Sequence, residues 1–160
     1  MSTSTKQKPR DLIAYCGLYC GDCPGHQGTI ADLARDLRKE LRQARFDKTA
    51  ALLCEIPFFR VYKDYPQCYQ VLGAMVKMRC RRACRGGGSN PACKPRKCAQ
   101  KKGFEGCWEC DEFETCAKLK FLEANHGDAV RRNLRALKRR GTAGFLEGKH
   151  YWYTPPRKSG

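Results

Sequence analysis

The stretch Tyr15-Cys16-Gly17-Leu18-Tyr19-Cys20-Gly21-Asp22-Cys23-Pro24-Gly25 decides how the rest of this chain is read. It holds three cysteines at x3 and x2 spacing, with glycines in the gaps. Short gaps let two sulfurs converge on one ion while the loop between them turns, and glycine supplies the positive φ angles such turns need. The pattern recurs downstream. Cys80-x3-Cys84 is followed by Cys93-x4-Cys98 and then by Cys107-x2-Cys110-x5-Cys116, so ten of the 12 cysteines lie in short-gap clusters. Cys54 and Cys68 stand apart in helical patterns and read as small buried hydrophobes.

Those thiols matter because the chain has little else to bury. Of 160 residues, 27 are Leu, Ile, Val or Phe, and the formal net charge is +16, from 32 Lys and Arg against 16 Asp and Glu. A highly charged chain with less than roughly 20% of those residues does not build a large apolar core unaided. Disulfides are one way to supply the missing cohesion. However, residues 1–10 are polar and basic, with no apolar export segment, and the longest apolar run is too short to cross a membrane. A cytoplasmic location without membrane association is expected, and thiols stay reduced there. Metal ligation is therefore the preferred reading, with ligands drawn from Cys16, Cys20, Cys23, Cys80, Cys84, Cys93, Cys98, Cys107, Cys110 and Cys116. A structural zinc contributes on the order of 10 kcal/mol of folding free energy, enough to offset a thin core.

Two ligand sets compete. In the first, Cys20-Gly-Asp-Cys23 and Cys107-Trp-Glu-Cys110 form the two knuckles of a zinc ribbon. Cys80, Cys84, Cys93 and Cys98 form a second four-thiolate zinc site. In the second, Cys16, Cys20 and Cys23 hold a [4Fe–4S] cluster completed from the C-terminal group, with Pro24 echoing ferredoxin-like Cys-Pro runs. Ten ligands do not divide into fours, so one site is shared, three-coordinate or completed by His. His26, three residues past Cys23, is the best placed of the three histidines. Zinc is the first assignment and an iron–sulfur cluster the alternative.

The remaining pattern is helical. Ile30, Leu33, Leu37, Leu41 and Ala44 share one face of a helix opening at Thr29, with Thr29-x-x-Asp32 approximating a capping box. Arg35, Arg38, Lys39, Glu40 and Arg42 take the other face. Further helices are predicted over 48–56, stopping at Pro57, and over 65–78, with Pro66 in the first turn. A fourth is predicted over 112–124, with Phe113, Ala117, Phe121 and Leu122 inward. Asp128 caps a fifth, with Val130, Leu134 and Leu137 on one face. Segment 79–111 reads as irregular, and its Gly86-Gly87-Gly88 run lacks the Lys-Ser/Thr of a phosphate loop. The expected fold is mainly α, a small irregular domain of short helices with Cys-rich loops stapled by metal. Its expected organisation is a disordered basic arm over 1–10, a metal-binding domain over 11–125, and a basic helix with an aromatic C-terminal extension over 126–160 packing on that domain.

Charge is segregated. Between 71 and 104 lie ten basic residues and no acid, among them Arg79, Arg81, Arg82, Arg85, Lys94, Arg96 and Lys97. Segment 105–116 carries five acids and no base, and 129–140 carries Arg131, Arg132, Arg135, Lys138, Arg139 and Arg140 with no acid. Such a stripe suits the phosphate backbone of a nucleic acid, or an acidic protein partner. It also counterbalances metal–thiolate centres, each of net charge −2 for four thiolates around zinc. No catalytic constellation is evident. Cys-x3-Cys-x2-Cys is shared with radical S-adenosylmethionine enzymes, but the strand–helix alternation of their barrel is missing.

Three motifs in order resemble the DUF3795 family, Cys-rich bacterial and archaeal proteins of unknown function. They are Ile13-Ala14-Tyr15-Cys16-Gly17-Leu18-Tyr19-Cys20-Gly21-Asp22-Cys23-Pro24, then Cys93-Lys-Pro-Arg-Lys-Cys98-Ala99, then Cys107-Trp-Glu-Cys110-Asp-Glu-Phe113-Glu-Thr-Cys116. Pro95 stands where the family pattern has Ile. The resemblance covers about residues 12–122. It implies a small zinc or iron–sulfur protein and carries over no catalytic residue. The expected function is metal binding in a binding or scaffold role, with electron transfer or redox sensing, and nucleic-acid binding, as alternatives.

Overall fold

Pro and Gly punctuate this chain into short helices, and the computed structural model, which describes residues 8–88 and 90–154, follows that punctuation. Among those residues there are seven α-helices: α1 (Pro24–Gln27), α2 (Thr29–Gln43), α3 (Phe46–Leu53), α4 (Tyr65–Lys77), α5 (Lys94–Lys102), α6 (Glu123–His126) and α7 (Ala129–Glu147). Seven 3-10 turns link them, and an isolated bridge between Ile13 and Tyr19 is the extent of β pairing among the described residues. The mainly α architecture agrees with the sequence reading. Of the arm expected over 1–10, residues 1–7 lie outside the described residues, and Pro9–Leu12 forms a 3-10 turn. The chain divides into two compact units, Met1–His26 with Arg81–Gly160, and Gln27–Cys80.

In the unit Gln27–Cys80, α2 packs on α4. The face that does so is not the expected leucine face. Ala31 and Ala34 are buried, while Leu33 is 66% exposed and Ile30 and Leu37 are about half exposed. Small residues allow close helix approach, and Arg38 takes the next position on that face, its guanidinium 4.2 Å from the centre of the Tyr69 ring. Gly73 on α4 lies against the same guanidinium. The expected capping box does not form either. Gly28 is the N-cap, and Asp32 pairs with Arg35 (2.7 Å) and with Arg79.

The other unit is built on one apolar cluster. Ile13, Leu18, Trp108, Phe113, Leu119, Val130, Leu134, Leu137 and Phe145 are buried together, with Cys16 among them and Cys20, Cys84, Cys107 and Cys116 packed against them. Thiols thus extend a core that aliphatic residues begin. The helix expected over 112–124 is instead a run of 3-10 turns, Phe113–Thr115 and Ala117–Leu122, leading into α6. The reason is the spacing. Phe113, Cys116, Leu119 and Leu122 recur every third residue, which stacks them on one side of a 3-10 spiral. Phe113 and Leu119 are accordingly buried, and Phe121 and Ala117 are exposed. The supposedly irregular 79–111 also contains a helix, α5. Pro95 in its first turn and Gly103 as its C-cap are helix-boundary signals.

Helix α7 runs beyond the expected stretch and breaks at Gly141 (φ 68°). The segment after it folds back and is pinned from below. Buried Asn133 donates from Nδ2 to the Tyr151 carbonyl (2.7 Å), and its Oδ1 accepts from the Tyr151 N–H (2.9 Å). His126 Nδ1–H donates to the Trp152 carbonyl (2.7 Å) and His150 Nδ1–H to Asp22 (2.7 Å), so these two histidines act as fasteners.

Replacing Asn133 by Ala orphans both Tyr151 backbone groups. It should destabilise this unit by about 2 kcal/mol. Phe121→Ala, at a 53% exposed position, should change it by no more than about 0.5 kcal/mol. Urea unfolding followed by tryptophan fluorescence reads both, since Trp108 and Trp152 lie in this unit.

Candidate metal centres

Each thiol of the Cys-rich unit is set by a local backbone device. Ala14 N–H donates to the Leu18 carbonyl (2.8 Å) and Gly17 N–H to the Ala14 carbonyl (2.9 Å), which turns the chain under Cys16. Gly17 is required there twice over. Its φ is +84°, and a Cβ would fall 2.9 Å from Leu134 Cδ2. Cys20 opens the turn Cys20–Asp22, and Cys23 closes it with its N–H on the Cys20 carbonyl (3.1 Å). Cys84 starts the turn Cys84–Gly86, Cys93 is the N-cap of α5, and Cys98 lies within α5. Cys107 and Cys110 flank another turn, Cys110 N–H reaching the Cys107 carbonyl at 3.2 Å, and Cys116 joins the two 3-10 turns that follow.

These devices gather eight thiols into two neighbouring groups. Cys98, Cys107, Cys110 and Cys116 line one cavity of about 30 Å³, walled by Phe104, Phe113 and Leu119. Cys16 lies within electrostatic reach of Cys84 and Cys93, and the Cys84 N–H points at Cys20 Sγ (3.5 Å). Cys107 adjoins both groups, since Cys16 and Cys93 act on it as well as Cys98, Cys110 and Cys116. Cys84 and Cys93 group with Cys16 and Cys20, while Cys98 groups with the third cluster. Cys80 ends the unit Gln27–Cys80, and Cys23 caps the turn that Cys20 opens. As they stand, no three His, Cys, Asp or Glu side chains among the described residues have the geometry of a metal site. The thiols are neighbours, and closing a shell needs rotation about their χ1 bonds.

Burial sets the chemistry of these sulfurs. It pushes the Cys16 thiol far up, with the neighbouring sulfurs adding to it. The Cys107 thiol is pushed up to about 12 by burial first and by Cys116, Cys98, Cys110 and Cys93 after it. Without a cation both are neutral at physiological pH. Lys102 Nζ lies 3.9 Å from Cys110 Sγ.

The basic residues divide by role. Arg96 is buried and donates to the carbonyls of Cys84 (3.1 Å), Gly88 (2.9 Å) and Asn90 (2.7 Å), so it organises the loop before α5. Arg85 donates to the carbonyls of Ile13 (2.8 Å) and Glu105 (2.9 Å) and lies over Tyr15. Both tie thiol-bearing loops together. Arg79 and Asp32 pair with each other inside the unit Gln27–Cys80. Arg81, Arg82, Lys94 and Lys97 are exposed. On α7, Arg135 grips Glu114 through two bonds (2.6 and 2.7 Å), Lys138 reaches Asp111 (2.7 Å), Arg131 reaches Glu123, and Arg132 reaches Asp128 (2.6 Å). The acidic segment 105–116 and the basic helix are thus partly each other's counterions. The sequence treats them separately because they are remote along the chain.

One comparison places the chain. A family model described as "Protein of unknown function (DUF3795)" matches residues 12–121, the span that holds every clustered cysteine. The chain belongs to the DUF3795 family. Comparisons with curated proteins and with solved structures return no match. The family span of this DUF3795 chain ends inside the turn Ala117–Leu122, so α6, α7 and the returning segment lie beyond it. Pro95, the departure from the motif, sits fully buried in the first turn of α5, where the N–H it lacks has no helical partner to lose. No helix among the described residues is long and apolar enough to cross a membrane.

The α7 ion pairs give a pH prediction. Arg135 holds the Glu114 carboxyl below its ordinary range, and Lys138 does the same for Asp111. A depressed carboxyl stabilises the fold above its unfolded pKa, and that contribution is lost as pH falls through the folded value. Carboxyl chemical shifts followed by NMR should give a Glu114 midpoint below the ordinary glutamate range. Arg135→Gln should return it upward.

Proposed function

We propose that this protein binds two zinc ions through thiolates and uses them as structural centres of a binding or scaffold protein. The observation that carries the reading is the convergence of Cys98, Cys107, Cys110 and Cys116, from three separate backbone devices, on one small cavity. The donor set is all sulfur, as closed structural zinc sites prefer. A cavity of about 30 Å³ has room on the scale of one ion or a water or two. The apolar walls keep solvent away. Cys16, Cys20, Cys84 and Cys93 supply the second centre. When bound, zinc keeps its thiolate ligands ionised, although burial alone would protonate them. The protein's own part is to hold the sulfurs through the turns at Cys20–Asp22, Cys84–Gly86 and Cys107–Glu109, and to place Arg85 and Arg96 so that those turns stay in register.

Anaerobic purification with metal analysis tests this. The expected result is a colourless protein with two zinc ions per chain, and Cys110→Ser should lower the content to one. Brown protein with absorbance near 400 nm and stoichiometric iron would replace zinc with an iron–sulfur cluster. Protein containing neither metal would end the proposal. Zinc uptake should release protons and weaken as pH falls, because thiols must ionise to bind. Chelation should abolish amide hydrogen-exchange protection first in α5 and in residues 107–122.

A further inference from the structure

Away from the thiols the Cys-rich unit has a further concave feature, and it is cationic. Along α7, Arg132, Arg135, Arg139 and Arg140 stand at i, i+3, i+7 and i+8 around Ala136, on one helical face. With Lys149 and Tyr151 of the returning segment they line a cavity of about 370 Å³. No acid lines it. Asp128 and Glu114, which hold Arg132 and Arg135, lie outside the lining, and among the described residues Arg139, Arg140 and Lys149 have no acidic partner. The wall facing the cavity is therefore a cluster of cations only partly neutralised from behind.

Two features mark this as a built site rather than a solvated face. The opposite wall is fixed: Asn133 clasps both backbone groups of Tyr151, and the His150–Asp22 contact before it and the His126–Trp152 contact after it hold the segment on either side. The cations also span two turns of helix, roughly 10 Å at 1.5 Å per residue, more than a single phosphate can bridge. The position of Arg139 and Arg140 just before the break at Gly141 suits the helix dipole. The dipole does not account for a returning segment that brings Lys149 to the same cavity.

We propose that this cavity is a binding site for an anion with two or more linked phosphate groups. A nucleoside di- or triphosphate and inorganic polyphosphate share that chemistry. Guanidinium groups bind phosphate oxygens in a bidentate manner. Several in a row select a chain of phosphates over one.

Isothermal titration of the metal-loaded full chain, at about 0.1 M salt to limit non-specific binding, tests the proposal with tripolyphosphate, ATP, AMP, orthophosphate and a 12-nucleotide oligo(dT). Saturable 1:1 binding of tripolyphosphate or ATP is expected, with AMP and orthophosphate at least about tenfold weaker. The double variant Arg139→Gln/Arg140→Gln removes two charge-assisted contacts and should weaken binding by at least about tenfold. Its circular dichroism should be unchanged, because among the described residues neither side chain has an ion-pair partner and Arg140 rests only against Gly144 and Gly148. Lys94→Gln/Lys97→Gln, at exposed cations outside the cavity, should bind as the parent does. ATP binding tighter than tripolyphosphate identifies the nucleotide as the source, and equal affinity identifies the phosphate chain alone. Either result supports the site. The proposal is overturned by any of three results: no saturable binding of tripolyphosphate or ATP at about millimolar concentration, affinity unchanged in the arginine double variant, or oligo(dT) binding tighter than tripolyphosphate.

Discussion

The hydrogen bond from the Cys107 N–H to the Tyr15 carbonyl, 2.7 Å long, joins the first thiol loop to the third. Much of the Cys-rich unit depends on what it brings together. On one side of it Cys16 is sunk into the apolar cluster, where its neighbour Gly17 lies against Leu134. On the other, Trp108 follows Cys107 into the same cluster. Arg85 braces the junction, donating to Ile13 and Glu105 and lying over Tyr15 and Trp108. Sulfur is thereby placed where a richer sequence would place leucine. A thiol can serve as a small hydrophobe, but eight of them close together make a softer and less complete core than branched aliphatic side chains do. Ions bound between them would supply the missing cohesion.

The charge distribution follows from the same arrangement. The chain has a net charge of +16, yet the cations have distinct duties. Arg85 and Arg96 are consumed by backbone carbonyls of the thiol loops. Arg131, Arg132, Arg135 and Lys138 meet carboxylates, two of which come from the acidic segment that directly follows Cys110. The polarity of 105–116 is thus a docking device for α7. What is left over on that helix is confined to Arg139 and Arg140, beside Lys149. The charge that α7 leaves over is localised, and its location is concave.

The sequence revealed the helices whose boundaries rest on local chemistry. The 15-residue helix from Thr29 and the one starting at Tyr65-Pro66 begin where predicted, because glycine before the first and proline in the first turn of the second act within a few residues. The thiol clusters were equally legible, as was the family. Three features were hidden, each for a physical reason. Helix α5 is masked because Cys93 and Cys98 read as loop ligands, although Pro95 and Gly103 mark its ends. The 3-10 run after Cys110 has a period of three that a 3.6-residue search reads as a weak helix. The buried face of α2 is offset from its leucines, because alanine lets α4 approach and Arg38 stacks on Tyr69. Ligand grouping could not be read at all. It depends on where α5 carries Cys98 relative to Cys93, and spacing alone says nothing about that.

The most direct test of the central claim is X-ray absorption at the zinc edge of the purified protein. A first shell of four sulfurs at about 2.3 Å, without nitrogen or oxygen, is the predicted result for both centres. A shell containing nitrogen or oxygen donors, or an absorption edge at iron with metal–metal scattering, would contradict the assignment of eight thiolates to two single-ion sites.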